Sequence, residues 1–215
     1  MTSEKKSDYW GGPLALAVLA PFSPVLLFGL LHLGLFSDNF RVVTPGKFYR
    51  SGQMDGKEIQ RVVGALGIRT IVNLRGEGPG RWYPAEVRAA RQLGVNYSVI
   101  AMSSDDLPEP QKLAALLQVF RLGPYPIWVH CMGGSDRSGL VSAIYRIVVE
   151  QAPCKAAMKE QLTWRYGHWG IGDKAAMDDF FRLYLHTGGG KDLARWIVED
   201  YPLHYIEQRP AKAGE

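Results

Sequence analysis

From residue 37 onwards, the chain alternates between segments with apolar residues at helical spacing and short runs of strand-forming apolar residues. Spacing and length together predict which segments are helices and which are strands. The first predicted helices cover 55–66, 84–93 and 108–122, and the predicted strands cover 69–74, 97–102 and 127–130. This alternation is typical of an α/β fold with a mainly parallel central sheet flanked by helices.

The flanking segments complete the predicted domain. Ser37–Lys47 is predicted to be an extended lead-in that a Pro45-Gly46 turn closes. Asp55 and Glu58 have the spacing of a capping box at the start of the first helix. Three more helices are predicted at Pro153–Trp164, Asp173–His186 and Lys191–Asp200.

A longer apolar stretch, Leu14–Phe36, precedes this domain and contains no Asp, Glu, Lys or Arg. It exceeds the roughly 20 residues that a helix needs to cross a bilayer. Pro21 and Pro24 would kink it, which membrane helices tolerate. It is longer than a signal-peptide core, and no small residues mark a cleavage site near Ser37. An uncleaved anchor is therefore predicted, ahead of a cleaved signal peptide or a buried core helix.

The predicted organisation is a tail (1–13), a transmembrane anchor (14–36), one folded domain (37–207) and a disordered tail (208–215). Basic residues are nearly balanced across the anchor, since Lys5 and Lys6 precede it and Arg41, Lys47 and Arg50 follow. A short basic tail before a single apolar span is typical of a signal anchor. The sequence thus favours a single-pass membrane protein whose folded domain faces a bacterial periplasm.

Composition excludes several functions. The chain has 215 residues and a net charge of +4, which suits anionic substrates and lipid head groups. The excess charge is too small to indicate nucleic-acid binding, and no nucleic-acid motif is present. The two cysteines, Cys131 and Cys154, are too few for a disulfide scaffold and lack zinc-ligand spacing, so neither a metal nor another cofactor is implied.

Residues 130–139, with the sequence HCMGGSDRSG, contain the main candidate chemistry. They join the predicted strand 127–130 to an apolar, helix-like run at 140–149. Gly133 and Gly134 allow backbone N–H groups to converge at the positive end of that helix, which favours an anion. The remaining phosphate-binding candidates in this loop are Met132, Ser135 and Ser138.

Cys131 and Arg137 have the properties of a nucleophile and its phosphate ligand. A helix N-terminus and neighbouring cations stabilise a thiolate, so Cys131 is predicted to attack phosphorus. The guanidinium of Arg137 can bind two phosphoryl oxygens at once. Ser138 is predicted to donate a hydrogen bond to the departing thiolate.

The loop resembles the Cys-x5-Arg loop of cysteine-dependent protein tyrosine and dual-specificity phosphatases. Further motifs resemble a bacterial dual-specificity-like subfamily: Val43–Gln53, Ile71–Glu77 and Tyr166-Gly167-His168. The resemblance extends from about Phe40 to about Tyr201. It implies a tyrosine/dual-specificity phosphatase-like fold and a phosphomonoester hydrolase that works through a phosphocysteine intermediate. The implied substrate is phosphotyrosine or phosphoserine on a protein, or a membrane or envelope phosphate such as a lipid head group.

A general acid must protonate the leaving oxygen, and two sites compete for this role. Asp136 lies inside the loop, where related phosphatases place an acid or water-positioning residue, and it is favoured. Asp105 and Asp106 follow the preceding strand, where many tyrosine phosphatases carry a mobile acid. Asp106 has the alternative of capping the helix that begins near Pro108.

Supporting roles are predicted for four other residues. His130 is expected to brace the loop through hydrogen bonds, and Arg75 either contacts substrate or pairs with Glu77. His168 is expected to be structural rather than catalytic. Cys154 is expected to be a plain buried thiol rather than the disulfide partner of Cys131.

Two other functions compete with the phosphatase. A rhodanese-like sulfurtransferase also carries a cysteine loop at a strand end, but the Arg137-Ser138 exit argues against it. A non-catalytic phosphate-binding module would not need both Cys131 and Arg137. Whichever of these functions applies, the residues before about Phe40 are expected to contribute nothing to the loop.

Overall fold

The structure is a computed structural model that describes residues 38–208, apart from the side chains of residues 173 and 174. The predicted tail 1–13 and the predicted anchor Leu14–Phe36 lie outside the described residues. So does the predicted disordered tail, except for its first residue, Gln208. Among the described residues, no helix is both long enough and apolar enough to cross a membrane.

A five-stranded sheet with the order β1-β2-β5-β3-β4 forms the centre of the domain. The strands are β1 (Arg41–Thr44), β2 (Phe48–Ser51), β3 (Thr70–Asn73), β4 (Asn96–Val99) and β5 (Ile127–His130). β1 pairs with β2 in the antiparallel direction, and the other three pairings are parallel. The predicted α/β class is confirmed, and the sheet is mixed because the lead-in forms a hairpin.

Helices cover both faces of this sheet. The described chain contains α1 (Gly56–Leu66), α2 (Trp82–Leu93), α3 (Pro110–Leu122), α4 (Asp136–Val148), α5 (Cys154–Gln161), α6 (Ala176–Thr187), α7 (Leu193–Glu199) and α8 (Tyr201–Glu207). Short 3-10 turns occur at Trp164–Tyr166 and Gly172–Ala175.

Two predictions concern the residues at which helices begin. The capping box of α1 is confirmed, because Asp55 accepts from the N–H of Glu58 and Glu58 accepts from the N–H of Asp55. The prediction that Asp106 caps the next helix is wrong. α3 begins later, at Pro110, with Glu109 in the N-cap position and no side-chain cap.

Successive side chains of each strand point to opposite faces of the sheet, so each face packs against its own hydrophobic core. Phe48 and Val129 face α3–α8, where the ring of Phe48 stacks on that of Tyr145 with centroids 4.0 Å apart. Ile71 and Trp128 face the smaller core against α1 and α2. β2 and β5 are buried along their whole length, as central strands covered on both faces require.

The strand register aligns the ends that carry the candidate chemistry. Ser51 of β2 and Asn73 of β3 are both paired with His130 of β5. The segments that follow these three strands therefore leave the sheet side by side, at the edge where open α/β sheets bind their ligands.

Candidate active site

The phosphate loop runs from Cys131 to Arg137 and joins β5 to the first turn of α4. The N–H of Gly134 donates a hydrogen bond to Cys131 Sγ over 3.2 Å. Gly134 has a φ of +71°, and a Cβ there would lie 2.5 Å from the backbone nitrogen of Gly52. Only glycine fits this tight turn, which brings a backbone donor to the sulfur.

Cys131 occupies the position expected of the nucleophile. It is 3% exposed, and its sulfur is a free thiol at the end of a buried strand. The hydrogen bond from the N–H of Gly134 orients the sulfur within the loop. The geometry is thus suited to a cysteine that attacks an anionic substrate.

Arg137 lies where three strand ends meet. Its Nη1 donates to the carbonyl oxygens of Leu74 and Met102, at 3.5 and 3.3 Å. Its Nε is buried and has no hydrogen-bond partner among residues 38–208. The backbone holds one edge of the guanidinium in place and leaves another donor available for phosphate.

Arg50 was not among the sequence candidates, although it lies within a motif that carries the family resemblance. It is fully buried, and its Nη2 donates to the carbonyls of Gly134 and Ser135 at 2.7 and 2.9 Å. Its Nη1 donates to the carbonyl of Gln161 at 2.7 Å. Burial lowers the pKa of Arg50 to about 10. Arg50 therefore ties the loop carbonyls to α5 and stabilises the loop in its curled form.

The predicted role of Ser138 is not the one observed. Its hydroxyl donates to the carbonyl oxygen of Ser51 at 3.1 Å, and not to Cys131. Ser138 is fully buried in the first turns of α4. It thus fastens α4 to the end of β2, while the loop backbone supplies the donor to sulfur.

His130 also differs from the expectation that its side chain braces the loop. Its Nε2 lies 2.5 Å from Glu86 Oε1 of α2, and both side chains are almost fully buried. Neither ring nitrogen has a hydrogen-bond partner on the loop in the described chain. Glu86 also accepts from Gln53 Nε2 at 2.7 Å. The imidazole therefore faces α2, on the side of the sheet away from α4.

Asp136 is held by a residue for which the sequence predicted only a structural role. His168 Nδ1 lies 2.7 Å from Asp136 Oδ1, and His168 Nε2 lies 2.7 Å from Asp178 Oδ2 of α6. Burial acts to lower the pKa of His168, but the two carboxylates outweigh it and raise the pKa to about 9. Because Oδ1 of Asp136 is already in contact with His168, that oxygen is not available to a leaving group.

Asp105 and Asp106 lie on the exposed loop that follows β4. Their backbone N–H groups donate to the hydroxyl of Ser103 at 3.1 and 3.2 Å. The same loop contains Met102, whose carbonyl binds Arg137. The two carboxylates therefore belong to a segment that borders the phosphate loop.

The predicted pairing of Arg75 with Glu77 is not observed, and the alternative that Arg75 contacts substrate stays a prediction. The guanidinium of Arg75 stacks over the ring of Trp82 at 4.0 Å, and Glu77 accepts from the hydroxyl of Tyr83 at 3.0 Å. Cys154 is a free, half-buried thiol, and burial raises its pKa to about 11. The expectation of a plain thiol at Cys154 agrees with this environment.

The lead-in contacts the loop directly, so the expectation that residues before about Phe40 contribute nothing is wrong. The carbonyl of Asp38 accepts from the N–H of Gly52 at 2.6 Å. Asn39 Nδ2 donates to the carbonyl of Gly133 at 3.1 Å and to that of Tyr166 at 2.8 Å. These contacts join the start of the described chain to the phosphate loop.

Comparisons with known proteins agree with this geometry. Residues 37–167 match the family described as "Swiss Army Knife protein, DSP-PTPase phosphatase domain" (PTP-SAK). The dual-specificity phosphatase TpbA of Pseudomonas aeruginosa PAO1 is 28% identical over 134 residues, which are 61% of this chain and 55% of that protein. TpbA of strain UCBPP-PA14 is 30% identical over 171 residues, which are 79% of this chain and 70% of that protein.

The same fold occurs in a solved structure. The crystal structure of P. aeruginosa TpbA superimposes with a TM-score of 0.58 and 23% identity, covering 75% of this chain and 91% of that one. At this identity the structural match supports the fold alone. The match to the first curated relative spans only about half of that protein's length, at 55%.

The loop, the fold and these matches place the chain in the class of dual-specificity-type phosphatase domains. More narrowly, the chain belongs to the PTP-SAK family of DSP-PTPase phosphatase domains. This membership confirms the resemblance that the sequence motifs indicated. It also disfavours the rhodanese-like alternative.

Proposed function

We propose that this protein hydrolyses phosphomonoesters in two steps through a phosphocysteine on Cys131. In the first step the thiolate forms an S–P bond as the ester O–P bond breaks, and the leaving oxygen takes a proton from a carboxylic acid. In the second step water displaces the sulfur and releases inorganic phosphate. The observation that carries the proposal is the 3.2 Å hydrogen bond from Gly134 N–H to Cys131 Sγ within the curled loop.

The loop stabilises the transferring phosphoryl group electrostatically. Its N–H groups lie at the start of α4, where backbone donors and the helix dipole favour an anion. Arg137 adds a planar cation whose free donors can bind equatorial phosphoryl oxygens in the transition state. Arg50 and Asn39 bind loop carbonyls, so the loop keeps its shape before substrate arrives.

The acid is assigned to Asp105. Asp136, which the sequence favoured, is held by His168 through Oδ1 and is poorly placed to reach a leaving group. Asp105 is exposed three residues after Met102, whose carbonyl contacts Arg137, and from there it can approach a bound leaving group. Asp136 is then a residue that His168 holds beside the loop.

The preferred substrate class is phosphotyrosine on a protein. TpbA of P. aeruginosa has been crystallised, in a cysteine-to-serine form, in complex with phosphotyrosine. In this chain the stacked Arg75 and Trp82 follow β3 at the same sheet edge as the phosphate loop. An aryl phosphate would find both an apolar ring surface and a cation there.

A membrane or envelope phosphate is the second candidate, and a different observation favours it. Asn39, which binds the loop carbonyl of Gly133, is only three residues after Phe36, where the predicted anchor ends. Three extended residues span only about 10 Å. If Leu14–Phe36 lies in a bilayer, the phosphate loop is close to the membrane surface, on the periplasmic side if the predicted orientation holds.

Exchange of the nucleophile tests the mechanism. Cys131→Ser should abolish hydrolysis of p-nitrophenyl phosphate and of phosphotyrosine peptides by the full chain, because the hydroxyl is not ionised at neutral pH. The matched control, Cys154→Ser, should retain wild-type rates. Rapid acid quench and mass spectrometry should find a phosphoryl group on Cys131 of the wild type. Full activity in Cys131→Ser, or dependence on an added divalent metal, would refute the proposal.

A further inference from the structure

His168 connects the phosphate loop to a distant helix through both of its ring nitrogens. Nδ1 lies 2.7 Å from Asp136 in the first turn of α4, and Nε2 lies 2.7 Å from Asp178 of α6. The His168 side chain is 3% exposed, and each carboxylate is 18% exposed. Two ionised carboxylates can both accept from one imidazole only when both nitrogens carry hydrogen. The geometry is that of an imidazolium between two carboxylates.

The backbone around His168 is shaped for this contact. Gly167 has a φ of +81°, and a Cβ there would lie 2.8 Å from Ser135 Oγ of the loop. Gly170 has a φ of +46°, and a Cβ there would lie 2.8 Å from Asp178 Oδ2. Glycines on both sides of His168 thus allow the connection between α5 and α6 to approach the loop and the second carboxylate closely.

We infer that His168 is a positioning residue for phosphoryl transfer, which holds the side chain of Asp136 in place and fixes the start of α4. Arg137 immediately follows Asp136, so a shift of Asp136 would move the guanidinium that binds phosphate. The group Asp136–His168–Asp178 is termed the histidine bridge below. The inference rests on the proposed function for its activity measurements, but the charge state of His168 can be observed without turnover.

The charge of the bridge agrees with the geometry. The two carboxylates overcome burial and raise the pKa of His168 to about 9. Asp136 faces His168 from α4, and Asp178 faces it from α6. A cleft of about 940 Å³ adjoins the bridge, and its other charged or titratable lining residues are Lys159, Glu160, Arg165, Tyr166 and Arg182.

The sign of the pH dependence follows from the raised pKa. The bridge contributes its full stability below pH about 6.5, the ordinary pKa of histidine, and loses it as pH rises through about 9. In the folded enzyme the imidazolium persists until that upper value. We therefore expect kcat to fall above pH about 9 as the bridge opens.

His168→Gln tests the role, because glutamine can donate one hydrogen bond but carries no charge. In the full chain, kcat for p-nitrophenyl phosphate should fall by about 10- to 100-fold, as misplaced catalytic groups cause. The alkaline limb near pH 9 should disappear from the profile that remains. His186→Gln, at an exposed histidine of α6, is the matched control and should keep both the rate and the limb.

Asp178→Asn provides a second test that keeps the imidazole. Loss of one carboxylate lowers the pKa of His168, so the alkaline limb should move to lower pH. Asp179→Asn, which removes the neighbouring carboxylate paired with Arg182, should leave the limb unchanged. Nitrogen NMR of the His168 ring, recorded without substrate, should give a titration midpoint near pH 9 in the wild type and a lower one in Asp178→Asn.

The outcomes separate the two proposals. An inactive wild type whose His168 titrates near pH 9 contradicts the phosphatase proposal and keeps the bridge. An active wild type whose rate and pH profile are unchanged by His168→Gln overturns the positioning role. If His168→Gln does not fold, Asp178→Asn decides. The inference is also overturned if Asp178→Asn leaves the alkaline limb at its wild-type pH and His168 of the wild type titrates near pH 6.5.

Discussion

Asp105 and Asp136 can be distinguished by the substrate's leaving group. p-Nitrophenolate is a stable anion and leaves without a proton, whereas an alkoxide must be protonated as it leaves. Asp105→Asn should therefore slow hydrolysis of an alkyl phosphate far more than that of p-nitrophenyl phosphate. Asp136→Asn should lower both rates by a similar factor, because it disturbs the loop through His168.

The measurement is the ratio of the two kcat/KM values in each variant. Asp106→Asn is the control, since it removes a neighbouring carboxylate on the same exposed loop. A large change of the ratio in Asp136→Asn, with none in Asp105→Asn, would show that Asp136, which the sequence favoured, is the general acid.

At the residue scale, the sequence predicted what is contiguous and missed what is brought together by folding. Cys131 and Arg137 belong to one motif, and a strand before it and a helix after it determine their placement. The contact between Asp136 and His168 spans 32 positions, and the contact between Arg50 and Gly134 spans 84. Neither pairing produces a local pattern, so periodicity and motif spacing could not indicate them.

At the element scale, Gly134 is the residue on which the strand-to-helix turn depends. Gly134→Ala would place a methyl group 2.5 Å from the nitrogen of Gly52, with φ in the left-handed region. The backbone strain alone costs about 1–2 kcal/mol, and relief of the contact requires the loop to separate from β2. We expect a lower free energy of unfolding and a severe loss of kcat.

Gly133→Ala is the matched control one residue earlier. The nearest atom to a Cβ there is Ser135 Oγ at 3.8 Å, which is ordinary contact. Urea unfolding followed by fluorescence, together with p-nitrophenyl phosphate turnover, should separate the two variants. Equal stability and activity in both would show that the turn does not require its observed conformation.

Some helices and strands could be predicted from the apolar pattern of the sequence, and others could not. The strand 127–130 was predicted with its observed bounds because it is a buried apolar run between turn residues. Of the β1–β2 hairpin, only β1 lies within the predicted extended lead-in Ser37–Lys47. β2 was not predicted, since Arg50 interrupts its apolar pattern. α8 was not predicted, because it starts at Tyr201, immediately after α7 and its cap at Asp200. The mixed character of the sheet follows from the hairpin and was missed with it.

At the scale of the whole molecule, the lead-in joins the N-terminal region to the catalytic loop. A chain that begins at Phe40 lacks three hydrogen bonds of Asp38 and Asn39, which together amount to about 1.5–4.5 kcal/mol. It should be less stable and less active than a chain that begins at Ser37. In the full chain, Asn39→Ala should show part of the same loss in urea unfolding. Identical curves for the chains that begin at Ser37 and Phe40 would contradict a role for these contacts.

The predicted anchor should affect access to substrate and not the chemistry. A chain that begins at Ser37 keeps the contacts of Asp38 and Asn39, so it should hydrolyse p-nitrophenyl phosphate nearly as fast as the full chain. A lipid phosphate in vesicles is different, because an anchor confines the enzyme to the surface that carries the substrate and raises its effective concentration there. Removal of Leu14–Phe36 should then reduce turnover of the lipid far more than turnover of the soluble compound.

Paired rates on the soluble and vesicle-bound substrates, measured with both chains, decide between the two substrate classes. A selective loss on vesicles supports a membrane phosphate as the substrate. Equal retention on both leaves phosphotyrosine protein as the substrate class, since proximity to a bilayer then gives no advantage. Equal losses on both, or an insoluble chain from Ser37, would contradict the anchor and assign Leu14–Phe36 to the catalytic fold. Each result follows from the position of Asn39, which binds the loop within about 10 Å of chain from Phe36.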